Sequence, residues 1–200
     1  MNKILIVSDI HGSKRAGDLI KKLDIQYNFK KIVILGDFLY NGPRNKVPTD
    51  YNPNYLIEVF NSLKDKIVAV RGNCDADVDL MVLNFDIPKQ KELIIEGTKF
   101  YLTHGDIESI YNFEPKTNEL LLKGHTHLPV LFKNEFGGIL LNPGSMTFPK
   151  GELDKSFMIL DENDVVLYEF NYDSSDNIEI LRTFSLNKEE YLLKGAVYER

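Results

Sequence analysis

Only one cysteine, Cys74, occurs in the 200 residues. No internal disulfide can form, and a reducing, cytoplasmic compartment is the simplest expectation. Positive charge is also scarce: 24 lysines and arginines stand against 30 aspartates and glutamates, a net charge of −6. That balance argues against nucleic acid polymers and anionic membranes as partners. A phosphate substrate is not excluded, because bound cations reverse the field locally. Long hydrophobic runs are missing too. The first one, Ile4 to Val7, meets the polar pair Ser8–Asp9 too soon for a secretory core or a membrane span. A strand is expected there instead. Internal repeats and low-complexity segments are absent, and 43% apolar with 27% charged residues is an ordinary globular composition. Residues 1–200 are expected to form one domain, with about 173–200 as a C-terminal strand and tail extension.

The first half alternates strand-like and helix-like stretches. Apolar runs at 3–8, 31–35 and 66–70 read as buried strands, and 14–23 as a helix with Leu19, Ile20 and Leu23 on one face. A loop rich in Gly, Pro, Asn and Asp follows at 41–52. Pro53 then opens a second helix that carries Leu56, Val59, Phe60 and Leu63. A short helix is expected over 76–83. The second half is mostly strand: a hairpin over 92–96 and 99–103 turning at Gly97–Thr98, then runs at 120–123, 130–132, 138–141, 156–160 and 165–171, and an apolar patch at 178–186. A βαβα beginning followed by strands predicts an α/β sandwich of two sheets with helices outside.

All four histidines lie where an apolar run ends and a Gly- or Asp-containing turn begins. The segments are Val7-Ser8-Asp9-Ile10-His11, Leu35-Gly36-Asp37, Arg71-Gly72-Asn73, Leu102-Thr103-His104 and Lys123-Gly124-His125-Thr126-His127. A lone Asp-x-His pair, or Gly-Asp in a turn, is commonplace. Five such segments that use every histidine are not. Residues two apart in an extended segment face the same way, so Asp9 with His11, and His125 with His127, are each expected to present two groups to one point. Parallel strands with aligned exits would gather the segments at one edge. Seven mixed nitrogen and oxygen donors exceed the roughly four that one tetrahedral ion takes. They suit two ions sharing a carboxylate. Without a thiolate set, Mn2+, Fe2+ or Zn2+ is favoured over an iron–sulfur centre.

Asp-x-His, Gly-Asp, Gly-Asn, His-Gly and Gly-His-Thr-His, in this order, resemble the calcineurin-like metallophosphoesterase superfamily. Gly-Asp-Phe-Leu-Tyr-Asn-Gly-Pro-Arg-Asn at 36–45, Gly-Asn-Cys-Asp at 72–75, Gly-His-Thr-His-Leu-Pro at 124–129 and Asn-Pro-Gly-Ser at 142–145 resemble its bacterial YfcE-type phosphodiesterases. The resemblance implies a four-layer α/β/β/α sandwich and a centre of two divalent ions, commonly Mn2+, with Fe, Ni or Zn as alternatives. Carried over by position, it assigns Asp9, His11 and His127 to one ion, Asn73, His104 and His125 to the other, and Asp37 to both. It implies that a metal-bound hydroxide attacks a small phosphodiester, with Asp37, Asn73 and His104 central to catalysis and Asn73 in contact with the phosphate; from the sequence itself, Arg44 in the 41–52 loop is the best candidate for a direct phosphate contact. A phosphomonoesterase, a cyclic-nucleotide or end-processing enzyme, and a protein-docking scaffold like the retromer subunit of this fold are the alternatives. A homo-oligomer is compatible with the sequence.

The chain departs from the wider pattern at two places. Cys74 stands where many members carry a histidine that aids the leaving group. Asp106 stands where many have a second histidine after His-Gly. Asp75 could orient a histidine or water, or cap the helix after it. With all four histidines assigned to metal, no strong general acid remains. Diesters with good leaving groups should therefore be preferred. With Mn2+ present, p-nitrophenyl diesters are expected to be cleaved far faster than alkyl diesters, and equal rates would refute this reading.

Overall fold

The computed structural model describes residues 3–106, 114–161, 164–172 and 177–187. Strand β1 (Ile4–Val7) leads into helix α1 (Lys14–Tyr27), strand β2 (Lys31–Ile34), helix α2 (Pro53–Ser62), strand β3 (Ile67–Ala69) and the single turn α3 (Asp77–Leu80). Eight strands follow: β4 (Gln90–Ile95), β5 (Thr98–Thr103), β6 (Glu119–Leu122), β7 (Val130–Lys133), β8 (Ile139–Asn142), β9 (Lys155–Leu160), β10 (Asp164–Tyr172) and β11 (Ile178–Asn187). They form a six-stranded sheet, ordered β11-β10-β9-β1-β2-β3, and a five-stranded sheet, ordered β4-β5-β6-β8-β7. In the first, β1, β2 and β3 run parallel; in the second, β5, β6 and β8 do.

The unbroken apolar runs of β1, β2 and β3 follow from burial on both faces. Leu5, Val7, Ile32, Ile34, Ile67 and Ala69 face α1 and α2, whereas Ile4, Ile6, Val33, Val68 and Val70 face the second sheet. From the other side Phe100, Leu102, Leu120, Leu122, Leu131 and Leu141 complete that inner core. Helix α1 starts where the Ser13 hydroxyl accepts the Ala16 N–H and ends at Asn28 in the left-handed region. Its buried Ala16, Leu19, Ile20 and Leu23 keep helical spacing. Removing a fully buried ring such as Phe60 would cost about 3–5 kcal/mol.

The two-sheet, helix-flanked architecture is the expected one. Helices cover the first sheet, while the outer face of the second carries none among the described residues. The β4–β5 turn lies one residue earlier than expected, at Glu96–Gly97, with φ of 51° and 81°. Two positive φ angles make the two-residue turn that matches strand twist. The short helix expected over 76–83 contracts to Asp77–Leu80, which has no buried residue to extend it. Of the C-terminal stretch 173–200, Ile178–Asn187 pairs with β10 at the sheet edge. Residues 173–176 and 188–200 lie outside the described residues. None of the described helices is long and apolar enough to cross a membrane.

One buried charge ties the late strands together. The Glu169 carboxylate on β10 accepts two bonds from Arg182 on β11, at 2.5 and 3.0 Å, and the Asp154 N–H at 2.8 Å. Burial pushes its pKa upward, but these bonds outweigh burial and hold it below the ordinary 4.5. A depressed carboxyl pKa stabilises the fold above the unfolded value, and the contribution fades as pH falls through the folded value. The melting temperature of Glu169→Gln should therefore lie below that of the parent at neutral pH, with the gap closing in acid. A gap that stayed constant down to pH ~3 would contradict the assignment.

Candidate metal centre

Strands β1, β2 and β3 exit the first sheet at Asp9–His11, Asp37 and Asn73, while β5 and β6 exit the second at His104 and at His125–His127. Backbone bonds bring these exits together. The Asp9 N–H donates to the Gly36 carbonyl, the Ile10 and His11 N–H groups both donate to the Asp37 carbonyl, and the Gly124 N–H donates to the His104 carbonyl. Serine, threonine and asparagine side chains complete the lacing. Ser145 donates to the Asp9 carbonyl, Thr147 to that of Ile10, and Asn142 to that of Gly124. Asp9, His11, Asp37, His125 and His127 all have φ between 51° and 65°. Such left-handed backbone costs a non-glycine residue of order 1 kcal/mol or more and persists only where its surroundings hold it.

This backbone overturns one expectation. Residues 125 and 127 are left-handed and not extended, and their side chains diverge, whereas those of Asp9 and His11, equally left-handed, converge. His127 stands with Asp9 and His11, its Nε2 3.2 Å from Asp9 Oδ1 and 3.4 Å from His11 Nε2. His125 stands with Asn73 and His104: Asn73 Oδ1 is 2.7 Å from His125 Nδ1 and 3.0 Å from His104 Nε2. Asp37 lies between the groups, with Oδ2 3.6 Å from His11 Nε2 and Oδ1 3.5 Å from His104 Nε2. The two sheets thus bring together all seven predicted donors.

The hydrogen-bond partners set the tautomers. Nδ1 of His11, His104 and His127 lies 2.9, 2.6 and 2.6 Å from the carbonyls of Tyr40, Leu35 and Phe148. A carbonyl only accepts, so each Nδ1 carries the proton and each Nε2 turns a lone pair inward. The Nε2 lone pairs of His11 and His127 then confront each other, and Asp9 Oδ1 is buried without a hydrogen-bond partner. Facing acceptors of this kind need a cation among them. The donor set therefore fits divalent metal ions.

The titration behaviour has the same origin. Burial opposes ionisation of Asp9, but the neighbouring imidazoles of His127 and His104, which attract its charge when protonated, bring its pKa below the ordinary value. Burial depresses His11 despite the nearby Asp37, and depresses His125 with help from His104. Burial also acts to lower His104, but Asp9 and Asp37 raise it. The Cys74 thiol is pushed up to about 12, by burial first and by Asp37 second, and stays protonated at neutral pH.

Asp75 neither caps α3, whose N-cap is Ala76, nor hydrogen-bonds a histidine. Its buried carboxylate accepts the N–H groups of Asp37, Phe38 and Gly72 at 2.8, 2.8 and 2.7 Å. Burial and the nearby Asp37 raise its pKa to about 6. Asp106 is exposed, and its charge favours protonation of His104 and His125.

A cleft of about 1050 Å3 opens over these side chains. Arg44 lines it, as expected, on an exposed turn braced by reciprocal bonds between Asn41 and Asn45. Tyr40, Arg71, Thr126 and Lys150 line it as well and were not anticipated. Arg71 adjoins Gly72–Asn73 and was within reach of the motif, whereas Lys150 belongs to no pattern. Arg71 is paired with Asp77 at 2.6 Å. Arg44 and Lys150 are exposed.

Neutral and anionic donors drawn from the strand exits of two packed sheets define a metal-dependent hydrolase. The chain belongs to the calcineurin-like phosphoesterase superfamily, whose domain matches residues 2–165. Phosphodiesterase YfcE of Escherichia coli K12 is 41% identical over 169 residues, covering 83% of this chain and 90% of that protein. The solved structure of the E. coli phosphoesterase YfcE superposes with a TM-score of 0.78 at 36% identity, over 92% of this chain and 100% of the other. Vps29 of Chaetomium thermophilum has a TM-score of 0.63 at 14% identity, over 94% and 99%, a likeness of fold alone.

The approach of β3 to β2 leaves no room for a side chain at Gly72, where a Cβ would lie 2.1 Å from Asp37 Oδ1 and 2.5 Å from the Asp37 nitrogen. Gly72→Ala is expected to keep its circular dichroism spectrum but lose Mn2+ affinity by on the order of 10- to 100-fold. Unchanged affinity in a calorimetric titration would show that Asp37 holds no metal.

Proposed function

We propose that the chain is a phosphodiesterase that works with two divalent cations, Mn2+ in the first place, on a small phosphodiester. The observation that carries the reading is the facing of the two Asp37 carboxylate oxygens toward different donor sets, Asp9/His11/His127 on one side and Asn73/His104/His125 on the other. The activity named for the YfcE relative, 41% identical, supports the same reaction. When bound, the cations supply the Lewis acidity that withdraws charge from phosphoryl oxygens and makes water a competent nucleophile near neutral pH.

The chain's own residues do the rest. Asp37 holds the two donor groups in one frame. Asn73 offers a neutral amide oxygen, so the substrate side gains no further negative charge to repel a phosphate. The imidazoles of His11, His104 and His127 have committed their Nδ1 protons to backbone carbonyls, so none of the three has a proton to give a leaving group. Cys74, with its thiol near 12, is too weak an acid to replace them. His125 is engaged with Asn73 in the second donor group, so no histidine is set aside as an acid, and the leaving group departs with little protonic help, in keeping with activated or aryl esters. Arg44 contacts the phosphate or its substituents from the cleft wall as a forked donor. The gathered donor set favours hydrolysis over docking alone, and the single cysteine and acidic balance favour a cytoplasmic, small-molecule role.

In the Mn2+-loaded protein, Asp37→Ala is expected to abolish hydrolysis of bis-p-nitrophenyl phosphate while preserving the fold. Arg44→Ala should raise KM several-fold with kcat little changed, a loss of about 1 kcal/mol in ground-state binding. An active Asp37→Ala enzyme, or an inactive parent across Mn2+, Fe2+, Ni2+ and Zn2+, would overturn the reading.

A further inference from the structure

The three N–H groups bound by Asp75 are not a random set. Those of Asp37 and Phe38 belong to the exit of β2, and that of Gly72 belongs to the exit of β3. A single buried carboxylate therefore spans two neighbouring strand exits. Asp75 Oδ2 receives Asp37 and Gly72 together, and Oδ1 receives Phe38. The same junction holds Asp37 in left-handed backbone, φ 57°. It also places the Cys74 N–H 2.8 Å from Asp37 Oδ1.

The neighbouring Cys74 turns Asn73 in the same sense. Its sulfur lies 3.3 Å from Asn73 Nδ2, which leaves Asn73 Oδ1 directed at His104 and His125. Gly72, Cys74 and Asp75 thus bear on Asp37 or Asn73, directly or through one another. The negative charge of Asp75 also matters. Three converging N–H dipoles need a charged or multiply accepting partner, and no water-sized neutral side chain supplies three lone pairs at 2.7–2.8 Å.

We propose that Asp75 is the positioning residue that makes Asp37 a shared ligand. By clamping the exits of β2 and β3 at a fixed separation, it sets the rotation of the Asp37 carboxylate, so that one oxygen faces His11 and the other His104. Asp75 acts through Asp37, both of its oxygens being engaged by backbone N–H groups. The inference rests on the two-cation reading above. It adds that the spacing of the two sites is set by backbone donors gathered on one carboxylate.

Electron paramagnetic resonance of the Mn2+-titrated protein tests this apart from activity, because two Mn2+ ions sharing a carboxylate are spin-coupled and isolated ions are not. The parent is expected to bind two Mn2+ and give the coupled spectrum. Asp75→Asn, which sets an amide N–H against one of the three donors, should bind the first Mn2+ normally. Its second Mn2+ should bind on the order of 10- to 100-fold more weakly, with the spectrum of isolated ions, and kcat should fall more than KM changes. Asp75→Glu, with the charge kept, should restore part of the coupling. Should Asp75→Asn fail to fold by circular dichroism, Asp75→Ser, which admits water to the three donors, takes its place. A folded variant with the parent's coupled spectrum and both affinities overturns the role of Asp75 and leaves the two-cation reading intact. A parent that binds only one Mn2+ overturns both.

Discussion

Asp37 is bonded through its carbonyl, its N–H and one of its carboxylate oxygens. Its carbonyl accepts the Ile10 and His11 N–H groups from the exit of β1, its own N–H donates to Asp75, and its Oδ1 accepts the Cys74 N–H from the exit of β3. One residue thus fastens three strand exits of the first sheet. The left-handed backbone at Asp9 and His11 is held in part through these bonds, and so are the directions of their side chains. Net hydrogen-bond energies of about 1 kcal/mol each are small singly. Convergent on one residue, they outweigh the strain of the left-handed turns.

The second sheet reaches the site by a different route. Leu35, at the exit of β2, offers its carbonyl to both Ser8 Oγ and His104 Nδ1, so the imidazole delivered by β5 is oriented by backbone of the opposite sheet. Gly124 lets β6 approach so closely that a Cβ there would lie 2.0 Å from Ser8 Oγ. The apolar layer between the sheets, from Ile6 and Val33 to Leu102 and Leu122, sets their spacing. The polar contacts at its rim then translate that spacing into metal-site geometry. Packing and chemistry share one boundary, and a core change in that layer reaches the donors without touching them.

Much of this was legible in the residues. Apolar runs ending in Asp, Asn or His marked all five exits, because strands buried on both faces show as uninterrupted hydrophobic stretches and their C-terminal ends carry polar function. Helical spacing of Leu19, Ile20 and Leu23 marked α1. The divergence of His125 and His127 was hidden, since sequence periodicity assumes extended backbone and both residues are left-handed. Asp75 stood out, but its partners were hidden for another reason: they are backbone N–H groups, which leave no signature in residue types. The place of β9 between β10 and β1 was also beyond reach, because hydrophobic pattern reports which faces are buried but not which strand lies beside which.

The order of elements along the chain has a consequence for how the protein comes into being. β1 precedes every other strand along the chain, yet its neighbour on one side is β9, from Lys155–Leu160. The donors themselves are spread from Asp9 to His127. During synthesis, which proceeds at roughly 5–20 residues per second, an emerging chain passes through many lengths at which β1 has an open edge and the donors are incomplete. No N-terminal fragment short of β9 has both the full ligand set and a closed central sheet. Catalytic competence therefore arrives late and all at once, when distant parts of the chain meet.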